Sequence, residues 1–455
     1  VPAPDADGRA EADPRQRAFQ ERPHRTLVAL SIPVMLSLVA EPLTGLVDTG
    51  FVARLGPEPL AALGVGTVLL SSLLWVFNFL GVGTQTEVAH ALGARSDDAA
   101  REAVGTALVL AAGIGIALAL LLWPLLGPLS SFMGAEGAVH AGSVTYLSIR
   151  LVGAPPLLAM MVAFGALRGR HDMRTPLWIA VGINLLNAAL DALLIPGWGP
   201  VPRFGIAGAA WATVAAQWAG AALGLWAVAG SIGLPSRIEP SRAGALLVVG
   251  RDLFFRTGML VVFIGLCTRA ATRLGPDSGA AHQAIRQVWL LTALALDAFA
   301  ASAQSLVGTF AGARRVDLAR RAAGIATLWG IGTGVALLLA MLLCEPWVAS
   351  LFVPAEARAV FASAWWISAL AQPMNAVSFV TDGIHWGTRD YAYLRNGMAL
   401  ASLLGVGLLL AADATGASTL ATIWWITALW IGVRAVLGAL RVWPGIGHAP
   451  LAQGR

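Results

Sequence analysis

The first long apolar stretch of the chain holds two acids that apolar text does not ordinarily carry, Glu41 and Asp48. Seven residues separate them, close to two helical turns, so they share one face with Thr44 between them. An ionisable group within a membrane-crossing helix is costly unless it finds a partner or a polar cavity. Asp48 can instead sit in water at a helix end, but Leu46 and Val47 before it and Phe51 and Val52 after it argue for burial. For Glu41, the following Pro42 can mark a break that solvates it. The fifth apolar stretch places Asn184, Asn187 and Asp191 at spacings of three and four, again on one face. A carboxylate with amides one turn away can hold a proton or offer oxygen ligands to a small monovalent cation. The alternative use is an inter-helix hydrogen-bond cluster.

Further polar residues recur at matched positions. Asn78 and Gln85 are seven apart, and so are Asp297 and Gln304, each exactly 219 residues further on. Such a stripe is expected where two copies line one central cavity, and packing between helices is the competing use. Asp382 is another acid in apolar text, with Gln372 and Asn375 on the preceding turns. None of the seven histidines pairs with Cys, Asp or another His at metal-ligand spacing, and Cys267 and Cys344 have no partner motif, so no metal centre, disulfide or cofactor is expected.

The elements that must position these residues are membrane helices. The chain of 455 residues is 57% hydrophobic and 12% charged, against about 25% charged in soluble domains. Apolar runs near 20 residues recur along its length, each sufficient to cross a bilayer. They do not alternate polar and apolar residues as barrel strands do. Twelve spans are predicted, at 27–53, 60–90, 102–127, 143–166, 177–196, 207–231, 244–272, 280–310, 322–344, 358–385, 397–412 and 419–440. All thirty basic residues are Arg, and they concentrate in the first tail and in alternate loops, among them Arg95, Arg101, Arg168, Arg170, Arg314, Arg315 and Arg389. The positive-inside rule therefore places both tails in the cytoplasm. It also accounts for the net charge of +5 without nucleic acid as a partner. The seventeen Trp suit an interfacial belt, including Trp365-Trp366 and Trp424-Trp425.

The halves repeat. Residues 54–105 and 273–324 both open on Arg-Leu-Gly-Pro, close on Gly-Ala-Arg, and share sixteen identities in fifty-two at an offset of 219. Pro155, Gly165, Gly169 and Asp172 recur as Pro373, Gly383, Gly387 and Asp390 at an offset of 218. Gly165 and Gly169 resemble a small-residue packing motif. The organisation read from this is a disordered cytoplasmic tail (1–26), an N-terminal six-helix lobe (27–231), a cytoplasmic linker (232–243), a C-terminal six-helix lobe (244–440) and a second tail (441–455). Two parallel repeats of one bundle place a substrate site at their seam.

Taken together, Ser31-Ile32-Pro33, Gly45-Leu46-Val47-Asp48-Thr49, Asn184-Leu185-Leu186-Asn187 with Asp191, Arg251-Asp252 with Arg256, Thr272-Arg273-Leu274-Gly275, Leu296-Asp297, Gln372-Pro373 and Asp382-Gly383 resemble the multidrug and toxic compound extrusion family, MATE, in its DinF-like branch. The resemblance covers about residues 27–440. It implies an all-α integral membrane protein with twelve helices in two V-shaped lobes, and export of organic compounds against an inward ion gradient. It assigns cation coupling to Asp48, Asn184, Asn187 and Asp191, and a hinge in the first helix to Pro33. Sodium-coupled relatives place acids in the seventh and tenth spans. Here Arg256 lies in the seventh and Asn375 replaces an acid in the tenth, which favours the N-terminal lobe.

The expected function is thus a secondary antiporter of the cytoplasmic membrane, exchanging small organic compounds for H+, or Na+ as the second choice, with membrane lipid as its surroundings. Asp48 and Asp191 are the coupling acids, and Glu41, Asn78, Gln85, Asp297, Gln304 and Asp382 are cavity candidates. The alternative is a lipid-linked precursor flippase, which would be expected to show extra spans and several cavity arginines. Only Arg150, Arg256, Arg269 and Arg286 are read within or near spans. No nucleophile and base arrangement suggests an enzyme.

Overall fold

In the computed structural model, which describes residues 14–233 and 240–452, the apolar runs become helices with polar or glycine-containing joints. A short α1 (Pro14–Glu21) precedes α2 (Pro23–Ala53). The next crossing is α3 (Pro57–Leu74) with α4 (Phe79–Gly93), joined through a four-residue 3-10 segment at Trp75–Asn78 and bent by 41°. Then come α5 (Asp97–Leu122), α6 (Leu126–Phe132), α7 (Gly137–Leu151) and α8 (Ala154–Gly169), the last two bent by 49° as one crossing, followed by α9 (Arg174–Leu194) and α10 (Ile206–Ser231). The second half holds α11 (Pro240–Arg273), α12 (Pro276–Gly312), α13 (Val316–Phe352), α14 (Arg358–Leu370), α15 (Gln372–Gly387), α16 (Tyr391–Ala414) and α17 (Leu420–Val442).

Among the described residues, eight helices are long and apolar enough to cross a bilayer, or ten when each bent pair is one crossing. Two more complete the twelve. One is α11, whose length suffices but which carries Arg251, Asp252, Arg256 and Arg269, and the other is the pair α14–α15, interrupted at Ala371. Each sequence-predicted span falls on one of these crossings.

The repeat survives in the packing. In the first half, α8 lies so close to α4 that a Cβ at Gly165 would fall 2.3 Å from the Gly81 carbonyl oxygen, and one at Gly169 2.6 Å from that of Gln85. In the second half, α15 meets α12 in the same way, and a Cβ at Gly383 would fall 2.1 Å from the Ala300 oxygen and one at Gly387 2.7 Å from that of Gln304. Gly115 on Pro155 recurs as Gly334 on Pro373. Backbone contact through glycine is how membrane helices gain dispersion energy where lipid offers no hydrophobic drive. The small-residue motif at Gly165 and Gly169 is therefore spent inside its own half.

Three expectations change. Residues 14–26, read as part of a disordered tail, are helical apart from Arg22, and Phe19 is fully buried 5.1 Å from the Phe310 ring. A single aromatic residue in polar text gives little sequence signal, yet it fills a gap between α12 and α13. Residues 1–13 lie outside the described residues, as do 234–239 of the linker; the rest of that segment from Pro240 already belongs to α11. Several tryptophans are core rather than belt residues. Trp365 is fully buried with its indole N–H donating to the Met341 carbonyl (3.0 Å), and Trp424 and Trp430 are buried beside it in the second half. Trp366 and Trp425 are exposed, edge to face at 5.4 Å.

Candidate functional site

The C-terminal half of α2 packs against α9, bringing Asp48 to Asp191. Asp191 is fully buried, and neither of its carboxyl oxygens has a hydrogen-bond donor among the described residues. Asp48 is half-buried and faces it. With its amide nitrogen turned to the acid, Asn187 donates to Asp48 Oδ1 at 2.9 Å and accepts from the Thr213 N–H at 3.2 Å. That orientation satisfies both ends of the amide, which fixes its assignment. Arg150 of α7 lies within electrostatic reach of Asp48, and it donates to Gln217 Oε1 at 3.0 Å. Two carboxylates facing each other in an apolar bundle repel strongly, and one bound positive charge, a shared proton or a monovalent cation, relieves it.

Of the four residues assigned to coupling, the structure thus gathers Asp48, Asn187 and Asp191. Asn184, one turn away, donates instead to the Ala40 carbonyl of α2 at 3.1 Å, which ties the helices together. Arg150, Thr213 and Gln217 were not singled out for this site from sequence. Thr213 and Gln217 are four apart in the otherwise apolar α10, a spacing that was a readable signal. Pro33 is buried in an α2 that stays helical through Pro33 and Pro42, and the Glu41 side chain lies outside the described residues.

The glutamines have a different task from lining a cavity. Gln85 Nε2 donates to the Ala301 carbonyl (2.8 Å) and to Ser305 Oγ (2.9 Å), while Gln304 Nε2 donates to the Val82 carbonyl (2.8 Å) and to Thr86 Oγ1 (2.9 Å). Each partner is the other's repeat mate, so the two bonds cross a pseudo-two-fold axis. Thr86 Oγ1 donates to the Trp386 carbonyl (3.0 Å), and Ser305 Oγ to that of Arg168 (2.9 Å), by the same relation. Two turns further, a Cβ at Gly93 would fall 1.9 Å from the Thr309 oxygen, and one at Gly312 2.2 Å from that of His90. The halves are therefore clasped near the arginine-rich ends of α4 and α12, where Glu87 also pairs with Arg389 at 2.8 Å. Asn78, in the 3-10 segment two turns above Gln85, is exposed.

Asp297 takes a separate course from its mate Asn78. It lies within electrostatic reach of Arg168, Arg256 and Asp382. Asp382 is buried and its Oδ2 accepts from both Arg256 Nη2 and Arg434 Nη2, the latter at 2.8 Å. Arg434 escaped the sequence reading, and Arg168, assigned there to a loop, ends α8 with its side chain turned inward. On the turns above, Gln372 and Asn375 are fully buried, and neither atom of the Asn375 amide has a partner among the described residues.

A family model described as MatE matches residues 33–193 and again 257–412, one match in each half. The chain belongs to the MatE family. It is 34% identical over 436 residues to Protein DETOXIFICATION 44, chloroplastic, of Arabidopsis thaliana, covering 91% of this chain and 81% of that one. It is 30% identical over 441 residues to DNA damage-inducible protein F of Escherichia coli (strain K12), covering 93% and 91%. Its fold superposes with a TM-score of 0.87 on a crystal structure of MATE in the bent conformation, at 22% identity and covering 95% and 98%. The match in both halves makes this MatE chain a multi-pass membrane protein of the multidrug and toxic compound extrusion class, and it gives the flippase alternative no support.

Proposed function

We propose that this MatE-family chain is a secondary antiporter that exports organic compounds, driven by a cation that enters between Asp48 and Asp191. The observation that carries the reading is the meeting of these two carboxyls, from α2 and α9, inside an apolar bundle with Asn187 on one of them. A proton or Na+ offsets one of the two carboxylate charges and so favours the state in which α2 and α9 hold the acids together. Helix α2 spans both halves. Its inner part packs on α12, where Ser31 Oγ donates to Ser302 Oγ at 3.0 Å and Val34 contacts Ala298 and Ala301. A change of charge at Asp48 is thereby passed to the clasped end. A ligand shifts a two-state equilibrium only by binding the states differently, and a cation that relieves repulsion in one state does so.

On this reading the arginine-rich, clasped end is the cytoplasmic one, with both tails there, and the clasp closes the molecule on that side. The membrane is the cytoplasmic membrane. The coupling ion is tested in proteoliposomes under separately imposed pH and sodium gradients, following efflux of a cationic dye. Uphill movement under one gradient and its absence under the other names the ion. Equal uphill movement with neither gradient imposed would refute the antiport.

A further inference from the structure

Arg150 stands beside the paired acids, in the last turn of α7 and just before the bend that divides α7 from α8. Its Nη1 donates to Gln217 Oε1 at 3.0 Å, and its guanidinium lies 6.0 Å from the centroid of the buried Tyr146 ring. Its Nε is buried and has no partner among the described residues. Both carboxyl oxygens of Asp191 are in the same position. Orphaned buried polar groups are rare in folded proteins, and these carry opposite charges. A chain of contacts leads from one to the other. Gln217 is one turn along α10 from Thr213, whose N–H donates to the Asn187 amide at 3.2 Å, and Asn187 donates to Asp48 Oδ1 at 2.9 Å. The resting place of Arg150 is built with close tolerance. A Cβ at Gly153 would fall 2.2 Å from Gln217 Oε1, so a side chain in the bend would push that amide aside.

We infer that Arg150 is a built-in counter-charge of the coupling site: it turns to Asp48 when the site holds no ion, and the entering cation displaces it onto Gln217. A guanidinium stays charged at every pH a protein meets, and its long stem lets it move between an acid and a neutral amide. When both acids are ionised, the two carboxylates and Arg150 sum to a single negative charge among the described residues. One proton or one Na+ cancels it, so one monovalent ion loads the site. Arg150 is thus a positioning residue that sets how tightly the ion is held. Without it, two facing carboxylates would hold a cation too firmly to release it once the halves change state. This inference deepens the antiport reading and rests on it.

The test uses the full chain, titrated separately with protons and with Na+. Ethidium efflux from proteoliposomes gives the half-saturating ion concentration in transport. Thermal unfolding in detergent gives ion binding without transport, since an ion that binds the native state raises the midpoint. Arg150→Gln, which keeps an amide for Gln217 and loses the charge, should lower the half-saturating ion concentration about tenfold in both measurements and slow turnover. Arg150→Lys, which keeps the charge, should stay near the wild-type value. Gln217→Ala takes away the resting place, so Arg150 competes harder and the half-saturating concentration should rise several-fold. An arginine that merely ties α7 to α10 would lose stability in both variants without moving ion affinity in opposite directions. Should Arg150→Gln not fold, the direction of the Gln217→Ala shift decides alone. A wild type that responds to an ion, with variants whose ion affinity is unchanged or shifted the opposite way, overturns the inference and leaves the antiport intact. A wild type that responds to neither ion in either measurement overturns the antiport reading and this inference with it.

Discussion

At the scale of residues, polar side chains of one type and on one helix face take different partners. Asn184 and Asn187 are one turn apart and chemically identical, yet one reaches the Ala40 carbonyl and the other Asp48. Asn187→Ala should therefore cut ion-driven efflux strongly, about tenfold or more, by leaving the acid without its amide. Asn184→Ala should leave the dependence of efflux on ion concentration unchanged and lower stability by about 0.6 kcal/mol, the usual size of a hydrogen bond between membrane helices. Efflux titrated against the coupling ion, beside thermal unfolding in detergent, separates the two. The sequence showed that these residues share a face with Asp191. It did not show which neighbour each one meets, because helical spacing defines a face and not its partner. Arg434 was passed over for a related reason. It lies eight residues before the end of α17, a distance from which arginine can snorkel to the headgroups, and only the packing of α17 on α15 turns it to Asp382.

At the scale of elements, the repeat makes a symmetric claim. If Gln85 and Gln304 are two halves of one clasp, Gln85→Ala and Gln304→Ala should open the arginine-rich end to similar extents. Cysteines placed in that interface should react faster with a water-soluble maleimide in either variant, by factors that agree within about threefold. Gly93 and Gly312 make the same claim through sterics. A Cβ at either one meets a backbone oxygen at 1.9 or 2.2 Å, which cannot be relieved by turning a side chain, so Gly93→Ala or Gly312→Ala must push α4 and α12 apart. Maleimide reactivity unchanged in all four variants would contradict the clasp. The identity of Gln85 and Gln304 across the offset was legible in the sequence. That they cross between the halves, rather than face a common cavity, follows from the close approach that Gly93 and Gly312 permit.

At the scale of the whole molecule, the twelve crossings, the duplication and the acids of the first and fifth spans were legible, because each depends on hydropathy, identity or spacing along one chain. The docked α1 was not, since its anchor is the single residue Phe19. Phe19→Ala removes a fully buried aromatic ring, a change worth about 3 kcal/mol in a packed core, so it should free α1 and expose the start of α2 to protease. The proposed function requires α2 to join an ion site at Asp48 and Asp191 to the clasp between the halves, and the measurement that tests this most directly compares coupled with uncoupled transport. Asp48→Asn in proteoliposomes is expected to exchange substrate down its own gradient yet fail to concentrate it under the coupling ion gradient that drives the wild type. Accumulation by Asp48→Asn at the wild-type rate and extent would contradict the account.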